Sequence, residues 1–552
     1  MGNSRFAVMI AACCGFCQPA VGQSSKAPLR PALERDAGAS PQTRADPVTA
    51  PNVNGALLPA PGAPEALPEN APVVEADPVV AAVRQQLASM SNPHARDDYA
   101  ALRVFYAARA QPIWLAHGAL TPQAQQAILE ISQAENWGLQ ASAFELPSSV
   151  AANSPVEALA EAEIKLGVAI LKYARQARGG RLEPITVSRK FDQEPRLYEP
   201  ASLLRAIANV DDIAVYLRGL HPRHEQFSRL RQALLAARAA PPEPGTATNV
   251  RRLIANMERW RWLPDDLGDF YVWDSIPEQM TRVVDRQKVI LSEKIVVGKP
   301  STPTPIFSAS MQFIIFHPSW GVPAGMKAQE LWPQLRNSGG GWFSGKPMAS
   351  TVLASHNLNA SRAGQPVNPD AVDWSKVDIR EFEFVQPPGP KNVLGIVKFR
   401  FPNRHDVYMH DTPERHLFNG GMRAFSHGCM RVQNPVRLAE VLLAHDKGWQ
   451  PSEVQGYVRR GGEITLTTPI PVHVTYFTAV ADAAGNVQTF ADIYGLDNRL
   501  TSALEGATVS LGSSSKTAIA KTQRAAAPSS PRAAKNGKPP QQSNPLTAIF
   551  WN

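Results

Sequence analysis

A single cysteine in the last quarter of the chain, Cys429, stands in a sequence context that suits nucleophilic chemistry. The sequence has 552 residues and four cysteines, and the other three lie within its first 17 residues, in a segment predicted to be removed. A solitary thiol cannot form an intramolecular disulfide, and this one follows Ser426, His427 and Gly428. Acyl transfer by cysteine requires a thiolate, a base that moves a proton and donors that stabilise an oxyanion. We predict that Cys429 is a nucleophile.

Two histidines are candidates for the base. His427 is two residues from the thiol, a spacing at which the ring often cannot turn onto the sulfur. His410 ends a predicted strand over residues 407–410 and would face Cys429 across a sheet. Tyr408 would lie on the same face as His410, because alternate residues of a strand share a face. We favour His410 as the base.

The backbone beside the thiol is predicted to supply electrostatic stabilisation. Gly428 has no side chain, so that the N–H groups of Gly428 and Cys429 are predicted to point at the developing oxyanion. Asn434 and Pro435 begin a predicted helix, and its N-terminus would lower the pKa of the thiol.

Other interpretations of these residues stay open. A lone cysteine is often an inert, buried side chain. Arg431 is as suited to a structural ion pair as to holding a substrate carboxylate. The spacing of the candidate zinc ligands matches no common pattern, so that we predict no metal and no cofactor. Those candidate ligands are His405, His410, His427 and Cys429.

The N-terminal residues indicate export from the cytoplasm. Residues 1–22 combine Arg5, an apolar run too short to span a bilayer, and small residues at 20–22, as a signal peptide does. An alternative is lipidation at Cys13, which follows a sequence resembling a lipoprotein cleavage box. We expect the mature protein to work outside the cytoplasm.

Two polar segments are predicted to be disordered. Residues 23–78 are rich in proline and contain no aromatic residue, and we interpret them as a tether. Residues 506–552 contain six lysines and arginines and no acid, and they account for most of the net charge of +8. We expect this basic tail to be solvated, with contact to an anionic wall or outer-membrane surface as the alternative.

Two folded domains are predicted between these segments, which gives the α+β class. Residues 79–240 have helical periodicity, with an N-cap at Thr121, a capping box at Ser154 and a stop at Gly179–Gly180. This domain offers no cluster of titratable groups at catalytic spacing, and we interpret it as a scaffold. Residues 239–249 are interpreted as a linker.

The second domain, over residues 250–500, is predicted to be β-rich. Short runs of Val, Ile and Phe bounded by Gly and Pro are typical of a mixed sandwich or barrel. Within it, an insert at about 325–390 contains the glycine-rich residues 337–342 and little strand pattern. A long insert with glycine hinges beside a site is a candidate lid.

Two short motifs, His410-Asp-Thr-Pro413 and Ser426-His-Gly-Cys-Met-Arg431, carry a family resemblance. They resemble the signature of the bacterial L,D-transpeptidase catalytic domain, and the chain is most similar to the long periplasmic branch with a helical scaffold domain. Supporting segments lie at residues 257–264, 297–299, 304–305, 316–323, 398–403 and 492–495.

The resemblance implies a reaction in cell-wall biogenesis and cell shape, carried out in the periplasm. The thiol would attack the carbonyl of the third residue, usually a diamino acid, of a peptidoglycan tetrapeptide stem and release the terminal D-alanine. The side-chain amine of a neighbouring stem would then take the thioester, which gives a 3–3 cross-link. Donor and acceptor stems are therefore the expected partners, nucleic acid is not, and carbapenems are expected to acylate the thiol.

The resemblance also implies roles for individual residues. His410 is the acid and base, Cys429 is the nucleophile, and Tyr408 with the backbone of Gly428 and Cys429 forms the oxyanion environment. The insert at about 325–390 corresponds to the family's capping region. The residues that shape the pocket are Ser426, His427 and Arg431.

The sequence leaves three alternatives and departs from the branch at one place. The same site would serve a hydrolytic L,D-carboxypeptidase or amidase, or attach a protein to the wall, and a wall-binding structural protein is the non-enzymatic alternative. Members of this branch commonly carry a peptidoglycan-binding module between the two domains. No such module fits between residues 231 and 254, which leaves the docking of glycan open.

Overall fold

The computed structural model describes residues 76–508, except 91–95, 149, 152, 242 and 340–344. The predicted signal peptide, the alternative lipidation site at Cys13, and almost all of the tether and the basic tail lie outside the described residues. Half of the predicted glycine-rich stretch, residues 340–342, also lies outside them.

Within the described residues, the chain is mostly helical from residue 78 to residue 261 and β-rich after it, which confirms the predicted α+β class. Within the described ranges, none of the helices combines the length and apolar character needed to cross a bilayer. The helices of the first region, with one short hairpin, are α1 (Pro78–Ser89), α2 (Arg96–Ala107), β1 (Leu115–Ala116), β2 (Ala119–Leu120), α3 (Pro122–Ser132), α4 (Val156–Gly179), α5 (Pro184–Val187), α6 (Pro200–Ile207), α7 (Ile213–Gly219), α8 (Glu225–Ala239) and α9 (Thr246–Arg261).

The helix signals in the sequence were mostly right. Thr121 caps α3, since its Oγ1 accepts a hydrogen bond from the Ala124 N–H at 3.1 Å. Helix α4 ends at the predicted glycine pair, where Gly180 has a φ of +89°. The predicted capping box on α4 is wrong, because Pro155 is the N-cap and makes no side-chain hydrogen bond. Ser154 Oγ instead accepts from the Ala151 N–H.

Helix α9 joins the helical region to the β-rich region. It begins at Thr246, inside the segment predicted as a linker. Its last turns are buried although they are charged, and Arg259 Nη1 pairs with Asp497 Oδ1 at 2.7 Å. The buried Glu258 carboxylate accepts from the backbone N–H of Leu182 at 3.1 Å. The first contact connects α9 to the C-terminal end of the β-rich region, and the second connects it to the helical region.

The strands after residue 262 form one large sheet and smaller pieces. In chain order they are β3 (Phe270–Ser275), β4 (Met280–Asp285), β5 (Lys288–Gly298), β6 (Phe307–Phe316), β7 (Trp320–Gly321), β8 (Asn359–Arg362), β9 (Gln365–Pro366), β10 (Phe382–Gln386), β11 (Val397–Arg400), β12 (Met409–His410), β13 (Ala424–Ser426), β14 (Met430–Val432), β15 (Gly462–Thr475), β16 (Ala479–Ala481) and β17 (Val487–Thr489).

Eight of these strands close into a mixed barrel in the order β5-β14-β12-β11-β6-β15-β3-β4, with β4 pairing back to β5. The pairs β12–β14 and β15–β3 are parallel and the others are antiparallel. Apolar side chains fill the barrel and the helices against it. The helices of this region are α10 (Ala324–Met326), α11 (Trp332–Arg336), α12 (Ala349–Ser355), α13 (Pro435–Lys447), α14 (Pro451–Arg460) and α15 (Leu496–Leu504).

The capping insert has its own sheet and its own core. Strands β7, β10, β8 and β9 form a four-stranded sheet in that order, so the expectation of little strand pattern was wrong. The strands escape detection because two of them have only two residues each. The core includes Trp320, Leu331, Trp374 and Phe382. The insert is therefore a small packed unit beside the barrel.

One buried carboxyl in the barrel gives a prediction about stability. Asp274 is fully buried on β3, opposite Thr281 of β4, and burial raises its pKa to about 7. An unfolded aspartate titrates near ~3.9, so between these values the folded state binds more protons and stability falls as the pH rises. Asp274→Asn removes this titration. We compare the melting temperature of the variant with that of the unchanged protein at each pH. This difference should be more favourable to the variant at about pH 8 than at about pH 4.5, by roughly 5 °C or more.

Differential scanning calorimetry at the two pH values checks this expectation. The matched control is Asp269→Asn, which changes an exposed carboxyl one residue before β3. An equal shift of the Asp274→Asn melting temperature at both pH values would contradict the assignment of a raised pKa.

Candidate active site around Cys429

A cavity of about 410 Å³ lies between the barrel and the capping insert, beside the β12–β14 pair. The insert contributes the stretch from Pro323 to Met326, together with Gln329 and Glu330. Six of the seven residues predicted for the site line the cavity, and Gly428 does not. The six are Tyr408, His410, Ser426, His427, Cys429 and Arg431.

The register of two short strands brings the base and the thiol to one face of the sheet. Strand β12 runs parallel to β14, with His410 opposite Arg431 and Met409 opposite Met430. Cys429 immediately precedes β14, two residues before Arg431. Because alternate residues of a strand share a face, Cys429 and His410 both project from the cavity side of this pair. The sequence predicted that His410 would end a strand and face Cys429, and the strand register puts both residues on the same side of the sheet.

The Cys429 thiol is half-buried and keeps its proton in the resting protein. Its S–H points at the carbonyl oxygen of Asp406, at 3.9 Å. Burial raises the pKa of the thiol, and this outweighs the lowering by hydrogen bonds from Tyr408 and by the charges of Lys398 and Arg431. The helix predicted at Pro435 forms as α13, and the net shift of the thiol pKa is upward because burial outweighs the lowering contributions.

His410 is neutral and has one nitrogen available as a base. It is buried, and its Nδ1–H donates to the backbone carbonyl of Asp411 at 2.5 Å. That hydrogen bond fixes the tautomer and leaves the lone pair on Nε2. Burial, together with the charge of Arg431, lowers the pKa of His410 to about 3. The imidazole can therefore accept a proton at any pH above that value.

Tyr408 brings a hydroxyl group to the sulfur. Its hydroxyl oxygen accepts a hydrogen bond from the Trp320 side chain, and its own proton is directed at Cys429. Burial raises the pKa of Tyr408 well above its ordinary value, so the phenol stays protonated and able to donate. Lys398 Nζ lies 4.0 Å from the centre of the Tyr408 ring.

Lys398 was not predicted as part of the site. It lies opposite His410 in the β11–β12 pair. Burial lowers the pKa of Lys398, and the thiol opposes this shift. The signal was present in the sequence, because Val397 and Phe399 are apolar and the residue between them must face the other side of the strand. Only the strand order shows that this side is the cavity side.

Ser426 shapes the turn that carries the thiol. Its Oγ donates to the Cys429 carbonyl at 2.5 Å and accepts from the Gly428 N–H at 3.1 Å. Gly428 has a φ of +121°, a conformation that favours glycine. The Gly428 N–H is thus directed at Ser426 rather than into the cavity. In this structure the glycine matters for the conformation of the turn.

His427 faces the capping insert. Its Nε2 lies 2.8 Å from Glu330 Oε1 and 3.4 Å from Lys299 Nζ. Burial lowers the pKa of His427, and the Glu330 charge opposes this. Glu330 was missed because it lies in the insert, far from the motif in sequence, and no periodicity marks it.

Arg431 forms the ion pair that was one of its two predicted uses. Its Nη1 lies 2.7 Å from Glu414 Oε2, and its side chain is buried. His405 also lines the cavity, and its Nε2 lies 2.7 Å from Asp192 Oδ2. Among the described residues, no three His, Cys, Asp or Glu side chains are placed to hold a metal ion.

Two regions of the chain match models of known protein families. One family model, described as a scaffold domain, matches residues 100–234, and a second, described as an L,D-transpeptidase catalytic domain, matches residues 269–471. The chain is a scaffold domain followed by an L,D-transpeptidase catalytic domain. The resemblance of the two motifs to the L,D-transpeptidase catalytic domain is thereby confirmed.

Individual relatives are distant. A curated Haemophilus influenzae protein named "Putative L,D-transpeptidase" is 28% identical over 275 residues, which is 49% of this chain and 53% of the relative. The chain therefore spans about half the length of this curated relative.

Two solved structures match part of this chain. The Ldtfm-avibactam carbamoyl enzyme is 15% identical with a TM-score of 0.16, and the match covers 38% of this chain and 50% of that one. Mycobacterium tuberculosis L,D-transpeptidase 1 is 14% identical with a TM-score of 0.14, covering 38% and 61%. These TM-scores are too low to carry a structural argument, and the family assignment rests on the two family models.

Proposed function

We propose that this protein is a periplasmic peptidoglycan L,D-transpeptidase that forms 3–3 cross-links through a thioester on Cys429. The observation that carries the proposal is the β12–β14 register, which puts a neutral imidazole and a thiol on one face of a cavity. We further propose that residues 1–22 direct export, that residues 79–240 and 250–500 are the two domains, and that residues 325–390 cap the donor site.

The first half-reaction is acylation of the thiol. His410 Nε2 takes the proton of Cys429 as the sulfur attacks the carbonyl carbon of the third stem residue. The Tyr408 hydroxyl and the Cys429 N–H stabilise the oxyanion. The peptide C–N bond then breaks, and the imidazolium gives its proton to the amine of the leaving D-alanine. The acyl group remains on the sulfur as a thioester.

The second half-reaction is aminolysis of the thioester. The side-chain amine of an acceptor stem attacks the thioester carbonyl, and His410 Nε2 accepts the proton that this amine loses. The C–S bond breaks, and the sulfur leaves as a thiolate that regains its proton from His410. If water replaces the amine, the same site becomes a carboxypeptidase, so the acceptor decides the activity.

Analysis of products by mass spectrometry tests the proposal. The protein is incubated with tetrapeptide-bearing muropeptides, and we expect a dimer that lacks one D-alanine. Tripeptide monomer without dimer would show a hydrolase instead, and unchanged substrate would show that the protein is not an enzyme of this class. The control is protein alkylated with iodoacetamide, because no cysteine other than Cys429 lies among the described residues.

A further inference from the structure

We propose that Glu330, in the capping insert, binds the side-chain ammonium group of the diamino acid in a stem peptide. This inference rests on the function proposed above and names a determinant of its specificity. Glu330 lines the same cavity as the base and the thiol. The insert would then recognise the substrate as well as cover it.

The two oxygens of this carboxylate have different surroundings. Oε1 lies 2.8 Å from His427 Nε2. Oε2 is shielded from solvent and has no hydrogen-bond partner among the described residues. A buried carboxylate oxygen without a donor is costly, and native proteins rarely leave one unsatisfied. A donor supplied by the substrate would remove that cost.

The charges on the cavity wall favour a cation as that donor. Two carboxylates, Glu330 and Asp406, line the cavity, and the one lining guanidinium, on Arg431, is already paired with Glu414. The Lys299 ammonium contacts His427 Nε2 at 3.4 Å, but Lys299 is not among the residues that line the cavity. An anionic ligand group would therefore meet repulsion on the Glu330 side. A primary ammonium offers three N–H donors and a positive charge, and hydrogen bonds between charged groups are the stronger kind.

The stem peptide supplies this chemistry in two places. The diamino acid of a donor and that of an acceptor both end in a primary amine. Oε1 contacts His427, two residues before the thiol, so either amine bound by this carboxylate would lie in the cavity that holds the reacting sulfur. The chemistry is shared, so the experiment must distinguish donor from acceptor.

The test compares Glu330→Gln with the unchanged protein in three assays. Release of D-alanine from donors with a free or an N-acetylated side-chain amine reports on the donor. The ratio of dimer to tripeptide reports on the acceptor. Capture of the thioester by hydroxylamine, a small uncharged nucleophile, reports on the chemistry without an ammonium group. Glutamine keeps the shape and the hydrogen bond but removes the charge.

We expect a loss of about 10-fold or more in one arm, the size of a charged hydrogen bond. If Glu330 binds the donor, the variant releases D-alanine more slowly from the free-amine donor but not from the N-acetylated one. If it binds the acceptor, release is unchanged, the ratio of dimer to tripeptide falls, and hydroxylamine capture is unchanged. A purely structural role would slow all the assays equally, and that result would overturn the inference.

Two further variants and one condition keep the outcome clear. Glu381→Gln removes a charge from the same insert, where Glu381 pairs with Arg362 at the surface, and it should change none of the assays. Glu330→Asp keeps the charge and should recover part of the lost activity. If the unchanged protein forms no acyl-enzyme, the proposed function fails first. If the unchanged protein forms the acyl-enzyme and Glu330→Gln behaves like it in all three assays, only the inference on Glu330 fails.

Discussion

Cys429→Ala is expected to lower turnover of tetrapeptide stems by at least about 10⁴-fold, since removing the nucleophile of a covalent mechanism has effects of this order. Intact-mass spectrometry should find no acyl-enzyme with a stem peptide and no adduct with a carbapenem. Both expectations follow from placing the thioester on this sulfur.

Unfolding of the variant would not explain such a loss. Besides the hydrogen bonds from Tyr408, the thiol has a long contact to the Asp406 carbonyl at 3.9 Å, so the melting temperature of Cys429→Ala should stay close to that of the unchanged protein. Cys429→Ser is the matched control for size and should be equally free of carbapenem adduct. Turnover that survives in Cys429→Ala would show that another group is the nucleophile.

His410→Gln is expected to slow acylation by about 10²–10⁴-fold, the usual contribution of a positioned base. The pH dependence should change as well. In the unchanged protein the pKa of His410 is about 3 and that of the thiol is raised, so both groups stay neutral and the acylation rate should be flat from about pH 5 to about pH 8. Without the imidazole, only spontaneous ionisation gives the thiolate, so the rate should rise tenfold per pH unit over this range.

Single-turnover acylation, followed by mass at a series of pH values, measures both effects. His416→Gln is the matched control, because His416 is an exposed histidine of the same segment. It should leave the rate and the profile unchanged. A flat profile in His410→Gln would mean that His427 or another group takes the proton, and the assignment of the base would fall.

The fold class and the identities of the reacting groups could be predicted from the sequence because both depend on local patterns. Thr121 before a proline begins a helix wherever it lies, and Cys429 beside a glycine and two histidines is informative without coordinates. Ser154 shows the limit of such patterns. Its hydroxyl has a nearer backbone partner at Ala151, which the spacing rule does not consider.

The pairing of short strands could not be predicted. Strands β12 and β14 have two and three residues, too few for alternation to show, yet their register decides which histidine faces the thiol. The protonation of the site was also out of reach, because burial raises the pKa of Cys429 and lowers that of His410. Lys398 and Glu330 reach the site only through long-range packing.

The capping insert packs around its own tryptophans and phenylalanines instead of borrowing the barrel's interior. The insert reaches the site through Trp320, which donates to Tyr408, and through Glu330, which contacts His427. Substitutions elsewhere on the cavity side of the insert would change which stem peptides bind, while the barrel strands that carry the thiol and the base stay the same.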